Sequence, residues 1–360
     1  MSRALRLLPT LRALRALPAL AAAATLVLAL GQPPPAHAFG AAGHQFSAEL
    51  AAPLLNPRAA AQVQRLLKLP LRTAATWADC VKQLRVDLNG AVATAEPRLA
   101  PACIAFDHPD GIERMADHVR RHPCHPTGGP APCHLNHHFT DISIAHDRYD
   151  RAFTGSSAHD IVSALNAAIA VLRGQRGQPA PPPFSFRDPT QALLLLVHLV
   201  GDLHQPLHVG AIYLDADGQP FDPDARPERD STAHPPGQGH TQGGNLLDTG
   251  ARNLHAEWDA MPASFGSRPP NADLLAAARH VAITPGDVGV WPTAWASETL
   301  AVARTAFAGL SFHPDPARPG HWQVRFADRA AYERHKDEIQ ILQLTRAGAR
   351  LAQVLNALWP

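Results

Sequence analysis

The sequence predicts a mostly α, single-domain protein with a helical core, long loops and little β structure. Three observations carry that prediction. Apolar residues make up 46% of the chain and charged residues 18%, the balance of a globular protein. Several stretches repeat apolar positions at helical spacing. Proline numbers 35, which disfavours sheet interiors and places long loops around a helical core. At 360 residues the chain has room for one large domain or two small ones. No internal repeat and no second core is legible, so one domain is the economical reading.

The first segment reads as a signal peptide over residues 1–38, and residues 39–360 as the functional domain. Arg3, Arg6, Arg12 and Arg15 form a basic n-region, residues 17–30 are apolar, and Ala36-His37-Ala38 is an A-x-A cleavage site. The apolar run is short for a membrane span. Cleavage after Ala38 leaves no membrane anchor and makes Phe39 the first residue of a periplasmic or secreted protein. It also lowers Lys+Arg from 32 to 28 against 31 Asp+Glu, taking the net charge from +1 to −3. That balance argues against a basic surface gripping nucleic acid by counterion release. Phosphate binding would need local charge, such as metal ions.

Taken in order, Gly40 and Gly43 give a flexible lead-in to His44. Residues 45–55 read as a helix with Phe46, Leu50 and Leu54 on one face, kinked or ended early by Pro53. Residues 57–69 and 73–84 read as further helices, the second carrying Trp77, Asp79 and Lys82. Residues 89–137 dissolve into Pro, Gly and His, a cysteine-stapled loop with one helix at 112–121. The stretch HHFTDISI, with His138, Phe139 and Asp141, is a strand or the start of a helix. Residues 159–173 form an amphipathic helix and 174–186 a Pro-rich connector. Residues 211–244 read as a polar, mobile excursion. Helices follow at 253–261, 271–283, 292–308 and 327–358.

The central element spans residues 188–210, DPTQALLLLVHLVGDLHQPLHVG. Asp188 suits an N-cap, Pro189 the first turn, and Gln191 completes a capping box. The run is apolar nearly all round, so the helix is buried. His198 and Asp202, four apart, nevertheless share one face of it. A buried imidazole and carboxylate cost free energy unless compensated, and a cation compensates both. His255 and Asp259 repeat the spacing on another helix, and His208 follows the helix-ending Gln205-Pro206. Zinc accepts imidazole nitrogen and carboxylate oxygen, and the i, i+4 spacing lets two such groups converge on one ion. A His–Asp pair inside an all-α core is the bland alternative for each pair alone.

Cys80, Cys103, Cys124 and Cys133 lie in one region, and an even count in an exported protein implies two disulfides. Three connectivities are open, of which loop closure favours Cys80–Cys103 with Cys124–Cys133. No pair has the spacing of a cysteine zinc site.

FGAAGH, TWADC, HHF-T-D, VHLVGDLHQPLHVG, GGN and NLHAEWD, in this order, resemble the class I nucleases. These are zinc-dependent, single-strand-specific nucleases with 3′-nucleotidase activity that share a helical fold with bacterial zinc phospholipase C. The resemblance runs through the C-terminal RAGARLAQVLNALW. It implies three Zn²⁺ per chain. Asp79, His138, His198 and Asp202 match the ligands of one zinc, and His208, His255 and Asp259 those of a second. The third matches the amino nitrogen and carbonyl oxygen of Phe39, with His44 and a bridging Asp202. The family usually begins with Trp where this chain has Phe39. Because the ligands there are backbone atoms, Phe is chemically adequate.

The resemblance also implies substrates and mechanism. Single-stranded DNA or RNA and 3′-nucleotides would be cut at P–O3′, leaving 5′-phosphates, by a zinc-bound hydroxide held through Asp79 and Asp202. Phe139 and Asp141 match a nucleoside pocket, although core packing is the alternative for Phe139. Lys82 stands where the family tends to have Arg; it offers a point charge to phosphate, or is a solvated helix face. Asn245 would shape the rim. His137, His204, His234, His240 and the histidines of 118–134 read as non-ligands. A monomer is expected. The competing functions are a phospholipase C on the same scaffold, for which 211–244 is too polar, and a non-enzymatic periplasmic zinc-binding protein.

Overall fold

The computed structural model describes residues 39–86, 91–94, 99–123, 133–174, 180–225, 239–262, 265 and 268–360. The expected signal peptide, His234 and Cys124 lie outside them. The architecture is mostly α. Its helices are α1 (Gly40–Ala51), α2 (Pro57–Leu67), α3 (Leu71–Ala74), α4 (Trp77–Val81), α5 (Pro109–Arg121) and α6 (Ile161–Leu172). They continue with α7 (Pro189–His204), α8 (Leu254–Asp259), α9 (Ala272–Arg279), α10 (Trp291–Ala306) and α11 (Arg329–Leu358). The strands are short: β1 (Leu84–Val86), β2 (Val92–Thr94), β3 (Ile142–Ser143), β4 (Gly210–Ala211), β5 (Tyr213–Leu214), β6 (Pro220–Phe221), β7 (Leu247–Asp248), β8 (Leu310–Pro314) and β9 (Trp322–Phe326).

The centre is α7, packed against α6, α11, α10, α2 and α4. Every residue from Gln191 to His204 is buried. Burial of Leu193, Leu196, Leu199 and Leu203, all fully inaccessible, contributes roughly 1.5–3 kcal/mol each. The start is capped as expected, Asp188 accepting from the Gln191 backbone N–H at 2.9 Å. The Gln191 side chain differs: its Oε1 accepts from Arg187 N–H at 2.8 Å, one residue further back than a capping box places it. The end comes at Gln205-Pro206, because proline has no N–H to continue the ladder.

Several boundaries depart from the sequence reading. There is no flexible lead-in before His44: α1 starts at Gly40, and after Ala51 it tightens into a 3₁₀ turn at Pro53. Residues 73–84 are not one helix. The chain breaks between α3 and α4, where Thr76 Oγ1 donates to Thr73 O and Ala102 O, each at 3.1 Å. Tertiary partners thus replace helical ones. The 211–244 excursion is narrower than its polarity suggests, since residues 211–214 and Thr241 are buried and pair with the body.

A second core was not legible but exists. Leu254, Trp258, Phe307, Phe312, Trp322 and Tyr332 cluster apart from the α7 core. They cover a sheet in which β9 pairs antiparallel with β8 and parallel with β7. β8 and β9 form a hairpin between two helices, and β7 joins it from a distant part of the chain. A smaller cluster joins Phe39 to Phe46, Leu50 and Leu344. There α1 meets α11 closely: a Cβ on Gly348 would stand 2.5 Å from Leu50 Cβ.

Candidate metal centre

Asp202 is the hub. It sits on α7 with zero exposure and faces three imidazoles. His198, one turn earlier, places Nε2 3.1 Å from Asp202 Oδ2 and 3.6 Å from Asp79 Oδ1. Its Nδ1 donates to the Ala75 carbonyl at 2.7 Å, a group left available by the break between α3 and α4. His138 ends a 3₁₀ turn and brings Nδ1 2.8 Å from Asp202 Oδ2. His44, from α1, has Nε2 3.1 Å from Asp202 Oδ1 and stacks on His198 with ring centres 3.7 Å apart. That approach requires Gly201, where a Cβ would stand 2.7 Å from His44 Nδ1. Burial opposes a charge on Asp202, but His198, His208 and His44 outweigh it and hold the carboxyl well below its usual range.

A second group forms beside it. His208 Nδ1 donates to His138 O at 2.7 Å and His255 Nδ1 to Gly243 O at 2.8 Å. A carbonyl can only accept, so both Nδ1 atoms carry the proton and both Nε2 atoms present lone pairs when the rings are neutral. Those Nε2 atoms face each other at 3.1 Å. Burial, the largest influence, lowers His208 to about 3, so that ring is neutral at ordinary pH. With both rings neutral, the two lone pairs would oppose each other, an arrangement that a cation between them relieves. Asp259 completes the group, with Oδ2 3.5 Å from His255 Nε2 and Oδ1 4.0 Å from His208 Nε2. Its Oδ1 accepts from Gln205 Nε2 at 2.8 Å and from Phe39 N–H at 3.2 Å. Burial pushes Asp259 up to about 6, the behaviour of a carboxylate short of positive charge.

Three buried sets of donor atoms therefore converge to within 4.8 Å among themselves: His44, Asp79 and His198; His138, His198 and Asp202; His208, His255 and Asp259; a fourth, more exposed set is His146, Asp222 and Asp224. The donor chemistry suits zinc. Buried His44 Nε2, His198 Nε2, Asp202 Oδ1 and Asp259 Oδ2 make no well-aligned hydrogen bond, as expected of groups shaped for a cation. Phe39, expected beside His44 and Asp202, meets Asp259 through its nitrogen. Its carbonyl oxygen accepts from Gly43 N–H at 2.9 Å as the first bond of α1, leaving its second lone pair for another partner.

Over these groups lies a cavity of about 480 Å³. Phe139 lines it half-exposed and belongs to none of the apolar clusters. Asp141, Lys82 and Asn245 line it as well. Lys82 Nζ stands 2.8 Å from Asp79 Oδ1. Burial disfavours its charge, but the Asp79 and Asp202 carboxylates outweigh burial and raise it. Asn245 Nδ2 donates to Gln242 O at 2.9 Å and braces the Gly-Gly turn under His255.

Some contributors carried no sequence signal: Gln205, which orients Asp259; Ala75, through its carbonyl; and His240, which lines the cavity. The Gly201-Asp202 dipeptide was the one legible hint, since glycine inside a buried helix implies a close approach. His204 is no ligand of these groups, its Nε2 standing 3.1 Å from Arg350 Nη1. His118, His122, His134 and His137 pack on one another, apart from these donor sets. Cys80 and Cys103 form the expected disulfide, which ties α4 to the segment before α5. The other expected pair includes Cys124, outside the described residues.

No individual curated protein matches the chain significantly. The family model for S1/P1 nuclease matches residues 39–360, the whole span that carries these buried His and Asp groups. The chain therefore belongs to the S1/P1 nuclease family, a family of nuclease hydrolases.

Proposed function

We propose that the chain is an exported, monomeric, zinc-dependent phosphodiesterase. It cuts single-stranded DNA or RNA and 3′-nucleotides at P–O3′ to leave 5′-phosphates. The observation that carries the metal reading is the convergence of buried His208, His255 and Asp259, with the two Nε2 atoms 3.1 Å apart. His208, His255 and Asp259 would hold one zinc; Asp79, His138, His198 and Asp202 a second; His44, Asp202 and the backbone of Phe39 a third. Zinc supplies Lewis-acid charge for phosphate and water activation at neutral pH.

The chain's own residues do the rest. Phe139 offers a ring face on which a splayed base stacks, and a duplex base cannot reach it without leaving its stack. Asp141 accepts from the base edge. Lys82 pairs with Asp79 in this structure; with a metal ion on that carboxylate, its ammonium would be available to the substrate phosphate. Carbonyls of Ala75, His138 and Gly243 fix the ligand tautomers.

Cleavage after Ala38 would place the protein in the periplasm or outside the cell without an anchor. Phe39 has φ 35°. A left-handed conformation costs a non-glycine residue roughly 1–2 kcal/mol. Cutting the 38–39 bond would create the amine ligand.

The test is zinc per chain, by elemental analysis, on exported protein whose N-terminus is verified as Phe39, followed by hydrolysis of single-stranded and duplex DNA. Three zincs with single-strand turnover, abolished by chelation and restored by zinc, are expected. A zinc-free chain or a duplex preference would refute the reading.

A further inference from the structure

His240 is fixed by backbone before its side chain acts. It bridges antiparallel to Tyr213, and Leu214 N–H donates to Gly239 O at 2.9 Å. Gly239 has φ +80°, and a Cβ there would meet Leu214 O at 2.3 Å, so only glycine allows the turn that delivers His240. The imidazole leans on the Tyr213 ring at 5.2 Å and sets Nε2 3.1 Å from Asp141 Oδ2. Charge, more than hydrogen-bond alignment, holds this contact. Burial opposes a charge on His240, but the neighbouring Asp141 carboxylate outweighs it and raises the imidazole above its ordinary value. The Asp141 backbone is clamped as well: its N–H donates to Gly155 O at 3.0 Å and its carbonyl accepts from Tyr213 Oη at 2.9 Å. Neither His240 nor Asp141 belongs to the converging metal-donor sets, yet both line the cavity with Phe139.

A carboxylate with both oxygens free takes two adjacent N–H donors at once. Guanine presents such a pair on its Watson–Crick edge. Adenine and cytosine present one amino group beside a ring nitrogen that only accepts. With an imidazole standing before Oδ2, Asp141 offers Oδ1 unobstructed, which suits one amino donor better than a bidentate pair. We propose that His240 is a specificity-determining residue of the base pocket: by engaging Asp141 Oδ2 it selects adenine and cytosine over guanine. The inference rests on the nuclease reading above, with Asp141 facing the base.

The test compares kcat/KM for the 3′-monophosphates of adenosine, cytidine, guanosine and uridine in wild type, His240→Ala and His240→Gln, with zinc content measured for each. The wild type is expected to favour adenosine and cytidine. His240→Ala should raise guanosine relative to adenosine on the order of tenfold, mainly through KM. His240→Gln, which keeps a donor, should retain the wild-type ratio. An unmoved ratio in an active, zinc-loaded His240→Ala enzyme, or an equal loss on all four nucleotides, overturns the inference alone. A zinc-loaded wild type that hydrolyses none of the four overturns the underlying nuclease reading, and the inference with it.

Discussion

Gly201→Ala separates stability from metal binding more sharply than removal of any ligand. The added Cβ would stand 2.7 Å from His44 Nδ1 and 3.1 Å from Cε1. Non-bonded carbon contacts settle near 3.5 Å, so the ring must retreat by roughly 0.8 Å. It has little room: His44 is 1% exposed and stacked on His198 at 3.7 Å. Ligand distances in metal sites tolerate only about ±0.2 Å. Alanine gains about 1 kcal/mol of helix propensity over glycine. Overpacking costs about 1–3 kcal/mol. The melting temperature should therefore fall only slightly. The zinc that depends on His44 should be lost, about one of three per chain, with activity down on the order of 10–100-fold. Elemental analysis, single-stranded DNA hydrolysis and a thermal melt check this together. In a His44→Ala background, Gly201→Ala should cost nothing further. A Gly201→Ala protein with wild-type zinc and rate would refute the placement of His44.

Other predictions follow from the same geometry. Asp202→Asn leaves His44, His138 and His198 without their shared charge and should abolish nearly all hydrolysis and lower zinc content; substantial retained activity would disprove its role. Replacing Cys80 and Cys103 by Ser opens a loop with a sequence separation of 23. Chain entropy puts the cost at about 3 kcal/mol, readable as a shift in the urea midpoint. His122 is lowered by burial from 6.5 to about 4. The unfolded chain then binds its proton first as pH falls, so stability is intact above pH 6.5 and lost progressively down to about 4. This one group accounts for at most about 3 kcal/mol. Urea melts of wild type and His122→Gln across that window should differ in slope by up to one proton; identical slopes would contradict the assignment.

The sequence alone determined the central helix and the His–Asp pair it carries. Asp188, Pro189 and Gln205-Pro206 bracket α7 because capping and proline act locally. His198/Asp202 and His255/Asp259 were legible because helical spacing guarantees that each pair shares a face. Asp79 and His44 were identified through resemblance, since nothing local separates them from ordinary surface residues. Only the tertiary structure decided the rest. The break between α3 and α4 overrides a helical pattern because the Ala75 carbonyl finds His198 and Thr76 finds Ala102. The β7–β9–β8 sheet escaped notice because β7 is two residues long and meets the β8–β9 hairpin only across a long separation. His240 looked like one more loop histidine among 21. Its place beside Asp141 depends on Gly239 and Tyr213, contacts that exist only once the chain has folded back on itself.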